Sequence, residues 1–134
     1  MILRRVILAA IALFVVSCGS GGNDPVQPEL SPPRIVGLKI EPNVVCVGGS
    51  AEVTFTLSDG DPGTITWNAV LNSSVHGTLS ATTGTGTDGT IVDIHFKAAT
   101  SGRHQHRVAV TVIATDSAGR RSEPSTIEFF VFNC

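Results

Sequence analysis

The sequence predicts an all-β fold, a single two-sheet sandwich of about seven strands, placed after an N-terminal signal helix and a flexible linker. Three observations carry this expectation. From Arg34 onward, apolar residues recur at every second position in a series of short stretches, the mark of strands with one face inward. Between those stretches lie clusters of Gly, Asp, Ser and Pro, which favour turns. No segment after the N-terminal apolar run has a convincing helical period. Charged residues make up only 15% of the chain, and Thr, Ser, Gly and Val abound, a composition that suits an exported β-protein.

The strands can be placed in order. Val36, Leu38 and Ile40 alternate with Gly37, Lys39 and Glu41. Val53, Phe55 and Leu57 form a second apolar face, and Ile65, Trp67 and Ala69 a third. A weaker strand is expected over about Gly77–Thr82. Val92, Ile94 and Phe96 follow, then Val108, Val110 and Val112, and finally Ile127, Phe129 and Val131. The turns are VGGS, SDGDPG, TGTGTDG, TSGR and DSAGRRSEP. The Gly-rich TGTGTDG reads as a mobile loop before the strand at Val92. It is not expected to cradle phosphate, because no helix follows whose N-terminus would hold an anion.

The N-terminus has a different character. Arg4 and Arg5 precede an uninterrupted apolar run, Val6–Val16. That is the length of a signal-peptide core and too short for the ~20 residues of a membrane-spanning helix. The run ends in Val15-Val16-Ser17-Cys18, which resembles the bacterial lipobox. The resemblance implies a signal peptide over residues 1–17, a thioether-linked diacylglycerol on Cys18, and cleavage before it. Gly19 follows, where Asp would imply retention at the inner membrane, so the resemblance implies the outer membrane. Several acyl chains give stable anchoring where one is marginal. Residues 18–33, rich in Gly, Ser and Pro, form a tether with an end-to-end distance of roughly 20 Å, and residues 34–134 form the domain.

Removal of the signal takes the basic count from 9 to 7 against 11 acidic residues, which leaves the mature chain near −4, about two charges more negative than the precursor. There is no basic cluster of the kind nucleic acid selects.

Two stretches resemble known domains. AEVTFTLSDGDPGTITWNAV is similar to the second and third strands of PKD-type and related immunoglobulin-like domains. HRVAVTVIATDSAGRRSEPSTIEFFVF is similar to the last hairpin of those domains and of fibronectin type III and cadherin-like domains. The chain departs from each: NAVLNS follows Trp67 in place of the PKD continuation, and there is no tyrosine. The resemblance implies the immunoglobulin-like sandwich and a core position for Trp67.

The strand order that the resemblance implies has consequences for the remaining cysteines. Cys46 lies between the first two strands and Cys134 ends the last, so both sit at one end of the sandwich. A disulfide between them is expected. It fits an oxidising compartment, and free or intermolecular thiols are the alternative. The same order places Asp59, Asp61 and Asp116 at the opposite end, where they would either converge on Ca²⁺ or cap their own turns.

The remaining candidates for chemistry are the histidines. His104 and His106 share one strand face and form a possible metal pair, with solvent-facing histidines as the plainer reading; His95 belongs to the other sheet and His76 to neither group. No nucleophile has a placed base, and no enzyme is expected. No cofactor is expected beyond that possible Ca²⁺. The expected function is a lipid-anchored binding or structural module of the cell envelope, held to the membrane by its lipid. Its partner would be an envelope protein. The alternatives are a surface glycan, stacked on Phe130 and Phe132, or a Ca²⁺-dependent adhesion domain.

Overall fold

A computed structural model describes residues 31–100 and 105–134. The signal segment, Cys18, the tether up to residue 30 and His104 lie outside the described residues. No helix among the described residues is long and apolar enough to cross a membrane.

Among the described residues, nine strands form two sheets: β1 (Arg34–Glu41), β2 (Val44–Cys46), β3 (Ser50–Ser58), β4 (Ile65–Leu71), β5 (Gly77–Leu79), β6 (Thr83–Gly86), β7 (Ile91–Ala98), β8 (His106–Thr115) and β9 (Ser125–Phe132). One sheet has the order β1-β3-β7-β5 and the other β2-β9-β8-β4-β6. All neighbours are antiparallel except β2 and β9, which run parallel. The core lies between the sheets and is built from the alternating apolar residues. Val53, Phe55 and Leu57 of β3 and Ile94 and Phe96 of β7 face Trp67, Val108, Val110, Val112 and Phe129. Two edge-to-face aromatic pairs join the layers, Phe55 on Trp67 at 5.4 Å and Phe96 on Phe129 at 4.8 Å between ring centroids.

Three features depart from the alternation read in the sequence. In β1, Val36 was expected inside with Leu38 and Ile40, yet it is 49% exposed. The register slips between Val36 and Lys39, and Gly37 has a φ of 67°. This bulge inverts the phase, so Ile35 lies inward on one side of it and Leu38 and Ile40 on the other.

The second departure is the TGTGTDG segment, expected to be a loop. Its Thr83–Gly86 part is strand β6, which pairs with Ile65–Asn68 of β4. Gly84 crosses directly over Trp67: a Cβ there would lie 2.6 Å from the indole ring. A bulkier strand could not pass the tryptophan, which explains a glycine where β-propensity argues against one. The expected Gly77–Thr82 strand is correspondingly shorter, because the chain leaves β5 at Leu79 and crosses to the other sheet to begin β6.

The third is β2. After Glu41 the chain leaves the first sheet, and β2 adds to the edge of the second beside β9. Cys46 therefore lies on a short strand, opposite Phe132.

Candidate functional site

The two ends of the sandwich and its outer faces carry the chemistry. At the end where β2 and β9 finish, Cys46 and Cys134 form a disulfide, with Cα atoms 5.4 Å apart and a sequence separation of 88. The parallel pairing of β2 with β9 brings the two together. The backbone N–H of Val47 then donates to the Phe132 carbonyl at 2.8 Å, which continues the ladder.

The same end holds His76, just before β5, and His106, the first residue of β8. Their rings stack at a centroid distance of 4.1 Å and an interplanar angle of 23°. Both are half-buried. On sequence grounds His106 shares a strand face with His104, which lies outside the described residues; the contact observed is with His76. Nothing in the spacing of residues 76 and 106 announces the contact, which arises where the two sheets close on each other. His95 faces solvent on β7, in the other sheet.

The opposite end is built from charge. Asp59 and Asp61 follow β3, and Asp116 follows β8. They share this end, as expected, but they meet a guanidinium. Arg120 Nε donates to Asp116 Oδ2 at 2.8 Å, and Nη2 lies 3.4 Å from Asp61 Oδ2. Asp116 Oδ1 accepts from the backbone N–H groups of Ala118 and Arg120, each at 2.9 Å. Burial works to raise the Asp116 pKa, but these backbone hydrogen bonds and the Arg120 charge outweigh it and hold the carboxyl below its ordinary value. Asp59 caps the backbone N–H of Asp61 at 3.1 Å, and its own N–H donates to Asp88 Oδ1 at 2.9 Å. Asp59 and Asp116 thus act as turn caps, and Asp61 and Asp116 meet a cation supplied by the chain. Among the described residues, no group of three or more His, Cys, Asp or Glu side chains is placed to hold a metal ion.

Ser31, Pro32, Arg34, Ser58, Asp59 and Gly60 line a cleft of about 260 Å³ at this charged end. The residues leading into β1 therefore enter the sandwich here, away from the disulfide.

The outer face of the five-stranded sheet carries Phe130 and Phe132, both half-buried, with ring centroids 6.1 Å apart and tilted by 45°. The Arg107 guanidinium stands 5.9 Å from the Phe130 ring centroid, a cation–π distance, and 3.9 Å from Glu128. Val44 lies beside Phe130 in register. On the other outer face, Glu52 of β3 sits between Glu41 of β1 and His95 of β7, with Asp93 nearby. A hydrogen bond to the Asp93 side chain and repulsion from the Asp93 charge raise the Glu52 pKa. Trp67 is 5% exposed and packs in the core, so it offers no stacking surface.

No family model matches the sequence, and no curated protein does either. Solved structures do share the fold. The PKD domain of an M14-like peptidase from a Thermoplasmatales archaeon is similar with a TM-score of 0.61 and 18% identity, over 78% of this chain and 99% of that one. The seventh PapD-like domain of human CEP192 is similar with a TM-score of 0.54 and 9% identity, over 90% and 97%. The periplasmic chaperone SfaE is similar with a TM-score of 0.55 and 12% identity, over 72% of this chain but 57% of the chaperone. The fold is therefore a two-sheet β-sandwich of the PKD-like and immunoglobulin-like class.

Proposed function

We propose that this chain is a lipid-anchored module of the bacterial cell envelope that binds another envelope protein and performs no catalysis. The observation that carries the reading is the division of its three cysteines. Cys46 and Cys134 are joined to each other, a pairing that suits an oxidising compartment. Cys18 is left directly behind the apolar run and Ser17, where a lipid would attach. The anchor belongs to the outer membrane on the strength of Gly19. The fold is one shared by binding and structural domains, and a fold by itself specifies no chemistry. The tether would enter at the Asp59–Asp116 end, which directs the disulfide end and the sheet faces away from the membrane and toward a partner.

Expression of the full chain with a labelled fatty acid tests the anchor. Label in the membrane fraction, lost in Cys18→Ala, is the expected outcome; equal labelling of the variant would refute it. Crosslinking in the native host followed by mass spectrometry identifies the partner.

A second reading, glycan binding, is favoured by one observation: Phe130, Phe132 and Arg107 cluster on one outer face. A glycan array separates the two readings, because Phe130→Ala and Phe132→Ala would abolish any signal that depends on this face.

A further inference from the structure

We propose that His76 and His106 form a two-histidine site for a divalent first-row transition metal, one that ties the two sheets together at the disulfide end. The imidazoles come from elements 30 positions apart in sequence, yet their centroids lie 4.1 Å apart and their planes differ by 23°. Zn–N bonds are about 2.0–2.1 Å long, so two imidazoles sharing a tetrahedral ion have ring centroids about 5 Å apart. The observed pair is stacked rather than splayed, so to share an ion both rings would leave the stack and each turn one nitrogen toward the open, half-buried side.

The backbones of both residues are already held. The His76 carbonyl accepts from the Ala99 N–H at 2.9 Å, and His106 pairs with Val131 in the β8–β9 ladder. His106 lies on the same side of β8 as the buried Val108 and Val110, so the pair stands at the mouth between the layers. Half-burial leaves one side of the pair open, where water or a partner's donor would complete the coordination.

Imidazole selects ions such as Zn²⁺ and Cu²⁺, with Cu²⁺ the tighter, and disfavours Ca²⁺ and Mg²⁺, which take oxygen ligands. His76 leads into a strand of the four-stranded sheet and His106 begins a strand of the five-stranded one. A bound ion would therefore bridge the layers and raise the melting temperature, by an amount that grows with the logarithm of free metal concentration above the dissociation constant.

The test uses the full mature chain with His95→Gln and His104→Gln, which leaves these two imidazoles alone. Zn²⁺ and Cu²⁺ should each raise its melting temperature, Cu²⁺ at lower concentration, while Ca²⁺ and Mg²⁺ should not. With the diamagnetic Zn²⁺, the ring resonances of both histidines should shift together. Addition of either His76→Gln or His106→Gln should abolish the thermal shift, read as the difference with and without metal in each variant so that any loss of intrinsic stability cancels. The proposal is overturned if the shift survives either substitution, or if millimolar Zn²⁺ and Cu²⁺ change neither the melting temperature nor the ring resonances of the two-histidine protein.

Discussion

At one end of the sandwich, a covalent bond joins Cys46 to Cys134 and two imidazoles stack between the sheets. At the other, three carboxylates, one guanidinium and a set of backbone N–H groups hold two loops in place. The first end acts on the unfolded chain, since a cross-link over 88 positions removes loop-closure entropy before folding begins. The second end acts mainly on the folded chain: the Asp116 contacts are local to one turn, but Arg120 meets Asp61, and Asp59 meets Asp88, only after the strands have placed their loops. The two should therefore differ in size and in their response to pH.

The largest effect is expected at the covalent end. Cys46→Ala with Cys134→Ala should lose about 4.5 kcal/mol on the chain-entropy model, a fall in melting temperature of more than about 10 °C. Denaturant titration of the oxidised and reduced wild-type chain checks the same quantity, and equal midpoints would break the comparison.

A smaller loss is expected from Asp116→Ala, which removes the acceptor for two backbone N–H groups and the partner of Arg120. Amide exchange should speed up at Ala118 and Arg120 and stay slow at Val47, whose N–H belongs to the other end. Because the folded state lowers the Asp116 pKa, its contribution is complete at neutral pH and is lost as the pH falls through that lowered value. Thermal melts from pH 7 to pH 2 should show a steeper acid loss in the wild type than in the variant. A disulfide has no such dependence, so matching curves would erase the distinction between the ends.

The smallest effect has the opposite sign. On the outer face of β3, Asp93 raises the Glu52 pKa, so the ionised carboxylate opposes folding at neutral pH. Glu52→Gln should melt slightly higher than the wild type at pH 7. The difference should close as the pH falls through the raised pKa and vanish below the unfolded value. A variant less stable than the wild type at pH 7 would mean that Glu52 contributes through contacts rather than through repulsion.

Much of the molecule was legible because period-two alternation maps directly onto a two-layer core. Val53, Phe55, Leu57, Trp67, Val108, Val110 and Val112 are all buried where the alternation put them. The Cys46–Cys134 pairing followed from the strand order that the family resemblance implied. Misreadings came where one glycine changes the local rule. Gly37 inverts the phase of β1. Gly84 makes a strand of a segment whose composition reads as a loop, because what stabilises β6 is its pairing with β4 and its close passage over Trp67. The His76–His106 contact had no local signal at all, since neither residue's neighbours encode the other.

From its residues alone, then, the chain determined its all-β character, most of its inward faces, most of the turns between strands and the lipobox-like stretch that ends at Cys18. Each depends on positions near one another in sequence, where periodicity and turn propensity act directly. The tertiary structure alone decided that β2 leaves the first sheet for the second, that Arg120 stands between Asp61 and Asp116, and that two histidines from different layers share one stack. Those outcomes depend on which surfaces meet when the layers pack, a condition that no short-range pattern contains.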